Sequence, residues 1–150
     1  MTDDSFQHLS LAGSRTILVV DDVGVVRKVA FRLLSEAGYR VFEASSAAEA
    51  LEVLSTSRQP ISLVVVDVVL PEVNGVDLVR LILEEWPTTR VIFMSAFPAE
   101  VLVREGLDQP TVRFLAKPFT RDELLSKVAA ALQPDSKANG ESSRTGRRKN

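Results

Sequence analysis

The 150-residue chain has no cysteine, a single histidine (His8), one tryptophan and one tyrosine. Without cysteine there are no disulfides, no thiolate nucleophiles and no thiolate metal sites, and a reduced cytosolic setting is compatible. The lone histidine lies in the N-terminal stretch "MTDDSFQHLSLAGSR", so zinc chemistry and histidine-based triads have no support. That stretch also lacks a basic region followed by a long apolar one, and nowhere do ~18 apolar residues run together, so neither a signal peptide nor a membrane span is readable. A soluble, cytoplasmic chain is expected. The seven glycines form neither a phosphate loop with its following lysine nor a dinucleotide fingerprint, which argues against a nucleotide-binding enzyme.

What is present is enough apolar material, 45% of residues, for one ordinary core. The net charge of -2 is unevenly spread: residues 134–150 carry five basic and two acidic side chains, leaving an acidic body with a basic tail. With no aromatic and almost nothing apolar, this tail reads as a solvated, disordered end rather than a binding arm. The chain divides into an N-terminal extension (1–13), one domain (14–133) and the tail (134–150).

Within the domain, apolar runs alternate with helical patterns. Strand-like segments are "TILVV" (16–20), "YRVFEA" (39–44), "SLVVV" (62–66), "RVIFMSA" (90–96) and "VRFLA" (112–116). Helical patterns cover 25–36, with Val26, Val29, Ala30, Leu33 and Leu34 on one face, then 47–54, 75–85, a weaker piece near 99–106, and 121–132. "SAAE" (Ser46, Glu49) and "TRDE" (Thr120, Glu123) read as capping boxes. Five strands, each followed by a helix, predict an α/β, doubly wound parallel sheet with helices on both faces. Ligands of such sheets gather outside the carboxyl ends of the strands.

At those ends stand Asp21 and Asp22 after the first strand, Asp67 after the third, Ser95 at the fourth, and Lys117 at the fifth, ahead of Pro118. Singly each has an ordinary reading: Asp22 as a helix cap, Asp67 as a turn cap, Lys117 as a surface lysine. Together, three carboxylates within a few ångströms repel strongly, which calls for raised pKa values or a cation. Oxygen donors with no histidine or cysteine suit a hard divalent ion, Mg2+ better than a calcium cage. A metal beside a carboxylate, a hydroxyl and a lysine makes a plausible phosphoryl-transfer site, with Asp67 the best nucleophile because Asp21 and Asp22 form a natural metal pair.

"ILVVDD", "LVVVDVVLPEVNG", "VIFMSA" and "FLAKPF", in that order, resemble the receiver domain of bacterial two-component response regulators over about residues 14–133. The resemblance implies a flavodoxin-like five-stranded sheet of order 2-1-3-4-5. It implies that Asp67 takes a phosphoryl group from a phosphohistidine on a sensor histidine kinase or histidine phosphotransfer protein. Asp21, Asp22, Asp67 and the backbone carbonyl of Val69 would hold Mg2+, with Ser95 and Lys117 reading the phosphoryl oxygens. Pro71, Gly75 and Pro118 would support the turns. Phe114, on residue grounds alone a plain core aromatic, matches the family's aromatic switch position. The surface of the fourth helix, fifth strand and fifth helix would then change its partner preference. Such a chain is a phosphoacceptor that assists its own phosphorylation and dephosphorylation, not an enzyme in the usual sense.

Several positions depart from the pattern. Ser95 stands where threonine is commoner and keeps the hydroxyl. Val69 and Phe97 are apolar where many relatives carry polar groups able to orient a water, which implies slow loss of the phosphoryl group. Pro98, Gly106 and Pro110 leave little room for a long fourth helix, a feature more similar to receivers of hybrid sensor kinases. No effector or DNA-binding domain is read after Leu132, so a stand-alone receiver is expected. The fifth helix offers either a homodimer contact or a cover for the sheet. A phosphatase of the haloacid dehalogenase type needs an acid two residues beyond its nucleophile, and that position is Val69. The remaining alternative is a phosphorylation-independent, receiver-like protein-binding module.

Overall fold

A computed structural model describes residues 15–96 and 112–133. The N-terminal extension with His8, Phe97, the weak helical piece at 99–106 and the basic tail fall outside those residues. Strands β1 (Thr16–Val20), β2 (Arg40–Ala44), β3 (Leu63–Asp67), β4 (Arg90–Ser95) and β5 (Val112–Ala116) form one parallel sheet of order β2-β1-β3-β4-β5. Helices α1 (Gly24–Glu36), α2 (Ala47–Thr56), α3 (Gly75–Glu85) and α4 (Arg121–Leu132) lie on its two faces, α4 being the last helical pattern of the sequence.

The unbroken apolar runs follow from burial on both faces. In β1, β3 and β4, alternate residues point to opposite sides. Leu18, Val20, Val64, Val66, Val91 and Phe93 pack with Ala50 and Leu54 of α2 and Leu78, Val79 and Ile82 of α3. Ile17, Val19, Leu63, Val65, Ile92 and Met94 pack with Ala30 and Leu34 of α1 and Leu124 and Val128 of α4. Each such fully buried aliphatic side chain contributes ~1.5–3 kcal/mol. The two layers therefore offset the cost of holding polar groups at the sheet edge.

The helix ends show which local signals held. Thr120 and Glu123 close a reciprocal capping box at α4. At α2 the box stays open: Ser46 accepts from the Glu49 N–H, but the Glu49 carboxylate turns one residue further back, to the backbone N–H (2.7 Å) and hydroxyl (3.0 Å) of Ser45. Asn74 caps α3 by accepting from Asp77 N–H at 2.9 Å. The start of α1 has no side-chain cap, so Asp22 does not serve there. Gly38, at φ 104, ends α1, and the Tyr39 N–H reaches back to the Leu34 carbonyl. The face expected on α1 is only partly buried: Ala30 and Leu34 are covered, whereas Val29 is 46% exposed. At the carboxyl end of α4, Arg15 and Arg90 donate to the carbonyls of Leu132, Ala131 and Gln133. These bonds tie α4 to the amino edge of β1 and β4.

The link between β3 and α3 is a close one. Gly75 donates to the Val68 carbonyl at 2.7 Å, and a Cβ on it would stand 2.1 Å from the Asp67 carbonyl oxygen and 2.9 Å from Val68 Cα. Only glycine lets the first turn of α3 approach the strand so closely. Both opposing atoms are backbone, so relief requires moving the strand end or the helix. Gly75→Ala is expected to lower stability by about 2 kcal/mol or more, read from urea unfolding midpoints. An unchanged midpoint would mean that the helix shifts at no cost.

Candidate functional site

Asp21, Asp67, Ser95 and Lys117 come together at the carboxyl edge because each stands at or one residue beyond the end of a strand. The ladder extends past the strands to hold them: Asp21 N–H donates to Ala44 (3.1 Å), Val68 N–H to Met94 (3.0 Å) and Lys117 N–H to Ser95 (2.9 Å). Asp21 is fully buried, Asp67 and Ser95 are buried, and Asp22 is exposed.

Lys117 is the centre of the arrangement. Its ammonium donates to Asp21 Oδ2 at 3.1 Å and to Asp67 Oδ2 in a very short contact, joining residues far apart in sequence. The other carboxylate oxygens are held locally: Asp21 Oδ1 accepts from Val23 N–H (2.9 Å) and Asp67 Oδ1 from Val69 N–H (2.8 Å). Asp67 thus caps a turn with one oxygen, as its ordinary reading expects, and turns the other to Lys117. Lys117 is no ordinary surface lysine, with its side chain 20% exposed.

Electrostatics follow from these contacts. Burial pushes the Asp21 carboxyl above its ordinary range, against the lowering influence of the Val23 amide and Lys117. For Lys117, burial alone would favour the neutral amine. The hydrogen bonds to Asp67 and Asp21 and the attraction of both carboxylates outweigh it, and its pKa is raised. Its stabilising contribution is therefore complete throughout the neutral range and is lost only at alkaline pH.

The expected three-acid cluster is only partly assembled. Among the described residues, no three acidic or histidine side chains are grouped to hold a metal ion. Lys117 bridges two of the acids, and Asp22 is exposed. The donor chemistry nonetheless fits a hard divalent cation: it is all oxygen, and the buried Asp21 resists carrying its charge without more compensation. Val69, whose carbonyl was expected to join, is 55% exposed.

Phe114 is half-buried against the core layer of α2 and α3 and pairs in register with Phe93. It also lines an open hollow with Arg113, Pro118 and residues of α4. Pro118 follows a cis peptide bond at Lys117, and Pro71 accepts from Val73 N–H in the turn before α3. Sequence reasoning missed Arg27, whose side chain reaches the Asp21 carbonyl, because its partners lie on other elements.

The fold and site are those of a doubly wound parallel α/β domain with two buried carboxylates and a lysine gathered at its carboxyl edge. The chain belongs to the response regulator receiver domain family, whose profile matches residues 17–129. It is 36% identical over 123 residues to the sensor kinase CckA of Brucella abortus, covering 82% of this chain and 13% of that protein. It is 32% identical to the chemotaxis protein CheY of Thermotoga maritima, covering 77% of this chain and 98% of that one. The crystal structure of the receiver domain of the hybrid histidine kinase CckA superposes with a TM-score of 0.68 at 33% identity, covering 79% and 99% of the two chains. Another relative, from Picosynechococcus, is spanned for 51% of its length. Receiver domains serve phosphorylation-based signalling, interact with histidine kinases or phosphotransfer proteins, and generally depend on Mg2+. No helix among the described residues is long and apolar enough to cross a membrane.

The raised Asp21 pKa has a stability consequence. Between the ordinary value of 3.8 and its raised value, the folded chain holds this proton more tightly than the unfolded one, so Asp21 makes stability fall as pH rises through that window. Asp21→Asn removes this penalty. The melting temperature of the variant relative to wild type is expected to climb as pH goes from below 3.8 to neutrality in metal-free buffer. A difference independent of pH would show that Asp21 ionises as freely in the folded chain as in the unfolded one.

Proposed function

We propose that the chain is a phosphorylation-dependent switch in which Asp67 accepts a phosphoryl group from a phosphohistidine on a sensor histidine kinase or phosphotransfer protein. The observation that carries this reading is the Lys117 ammonium shared between the carboxylates of Asp21 and Asp67. It fixes Asp67 at the sheet edge and supplies a cation that can turn from a carboxylate to an incoming phosphoryl oxygen.

In the transfer, an Asp67 carboxylate oxygen attacks phosphorus as the P–N bond of the donor breaks, and the electron pair of that bond returns to the imidazole. A covalent phosphate adds up to two negative charges to a site that already holds buried carboxylates. Asp21, Asp22, Asp67 and the Val69 carbonyl are the residues that would hold Mg2+, whose bound charge would offset the developing charge on the phosphoryl oxygens. Lys117 would pair with one phosphoryl oxygen and the Ser95 hydroxyl with another. Because β5 carries Phe114 two residues before Ala116, which pairs with Ser95, a shift of the Ser95 hydroxyl bears on the strand that holds the aromatic. Phe114, half-buried beside an open hollow, has room for more than one setting, and its turning would alter the surface of β5 and α4. The chain acts here as a phosphoacceptor that assists its own modification, not as a turnover enzyme.

The decisive experiment is intact-mass analysis after incubation with acetyl phosphate and Mg2+, for wild type and Asp67→Asn, with an EDTA control. One phosphoryl adduct is expected, dependent on Mg2+ and absent from the variant. If neither acetyl phosphate nor a phosphorylated histidine protein gives an adduct, the chain is a receiver-shaped binding module that works unmodified. The exposed, apolar Val69 offers no group to orient a water beside Asp67, so the acyl phosphate should persist well beyond seconds. Val69→Asn should shorten its lifetime several-fold in the same assay. A wild-type lifetime of seconds would count against a role for this position.

A further inference from the structure

Between Asp21 and Val23 the chain makes a tight turn on which Asp22 sits. That turn is held on both sides of Asp22. The Asp21 carbonyl accepts from Arg27 Nη1 at 2.8 Å, the Val23 N–H donates to Asp21 Oδ1 at 2.9 Å, and the Val23 carbonyl accepts from the Arg27 N–H at 3.0 Å. Arg27 therefore closes the turn twice, once with its backbone and once with its side chain. Its guanidinium is anchored in turn by Nε, which donates to Glu43 Oε1 on β2 at 3.0 Å. The pair is largely covered, with side-chain exposures of 17% and 20%.

We infer that Arg27 is a positioning residue for Mg2+ binding: it clamps the Asp21–Val23 turn and so limits where the exposed carboxylate of Asp22 can stand relative to those of Asp21 and Asp67. The inference rests on the reading of these acids as a metal site. Asp22 is exposed, and what limits its direction is the backbone from which it projects. A rotation of the Asp21–Asp22 peptide would swing it away from the edge, and the bond from Arg27 to the Asp21 carbonyl opposes that rotation.

Two effects of removing Arg27 have opposite signs, which makes the inference testable. A cation near a metal site repels the metal, so on charge alone loss of the guanidinium would tighten Mg2+ binding. Loss of the clamp would weaken it, and removal of groups that orient metal ligands typically costs 10–100-fold in affinity. Glu43 already neutralises much of the guanidinium charge, so the geometric effect should prevail. Lys28 is the natural control, since it also bonds Glu43, at 3.1 Å, but from the exposed side and without a bond to the turn.

The test is calorimetric titration of the full chain with MgCl2 for wild type, Arg27→Ala, Arg27→Lys and Lys28→Ala. Hydrogen exchange of the Val23 amide is followed in metal-free protein alongside it. Arg27→Ala should weaken Mg2+ at least tenfold and speed exchange at Val23. Arg27→Lys keeps the charge but can span only one of the two acceptors, so it should fall between Arg27→Ala and wild type. Lys28→Ala should bind as wild type does. If Arg27→Ala does not fold, as judged by circular dichroism, Arg27→Lys carries the test, and its weakened binding with charge retained is the supporting result. Wild-type affinity or tighter in the folded Arg27 variants would overturn the inference while leaving the metal site intact. A wild type that binds no Mg2+ would overturn the reading of the site and the inference with it.

Discussion

Two buried carboxylates cannot be left facing each other at the edge of a hydrophobic sheet. A unit-charge pair at 4 Å interacts by about 4 kcal/mol at an effective dielectric near 20, and each buried ion has lost its water as well. The Lys117 ammonium between Asp21 and Asp67 resolves this with one side chain from a third strand end. It leaves the group with a net negative charge, and the exposed Asp22 adds to it. The arrangement tolerates its own folding and still favours a further cation. On the proposed reading, this residual imbalance is what makes the site responsive, because a phosphoryl group and Lys117 can pair only if Lys117 releases part of its hold on the carboxylates.

The position of these charges is inherited from the packing of the apolar strands. β1 and β3 are buried along their whole length, with alternate residues committed to opposite core layers. A slip of one residue would exchange the two layers and displace the acids from the edge. Register is thus fixed by many side chains of no chemical interest. The carboxylates need no local device to find their level, only the end of the strand. Gly75 adds the one steric condition, since α3 begins against the carbonyl of Asp67 itself.

This explains which parts were legible in the sequence. The four apolar runs that end in an acid, a serine or a lysine gave the parallel sheet, its carboxyl edge and the convergence of Asp21, Asp67, Ser95 and Lys117, because periodicity and strand ends are local signals. The division of labour between Asp21 and Asp22 was not legible: the two are adjacent and chemically identical, and only the turn shows one buried and bonded to Lys117 and the other exposed. Glu49 matched a capping box by spacing, yet Ser45 offered two donors where Ser46 offered one, and the carboxylate went there. Val29 matched the helical period of a buried face, but α1 meets the sheet along Ala30 and Leu34 and leaves Val25 and Val29 outside. Arg27 carried no signal because its meaning depends on Glu43, sixteen residues away on another element.

Parallel β-α succession also decides why this edge, and not the other, suits an anion. Each strand ends at the carboxyl edge and each following helix begins there, so α1 at Gly24, α3 at Gly75 and α4 at Arg121 all start on the side of Asp67. The partial positive charge of helix amino ends favours negative groups within about a turn, by roughly 0.3–1 kcal/mol each. At the opposite edge, the carbonyls ending α4 are taken up by Arg15 and Arg90, so there arginine side chains cover the negative end of a helix dipole. The topology therefore sorts charge before any site side chain is considered: cations are drawn to one rim, and the acids with their lysine occupy the rim where added negative charge is least opposed. On the proposed reading, Asp67 can take a phosphoryl group because the fold holds it at this rim, while Lys117 compensates its charge at the strand end.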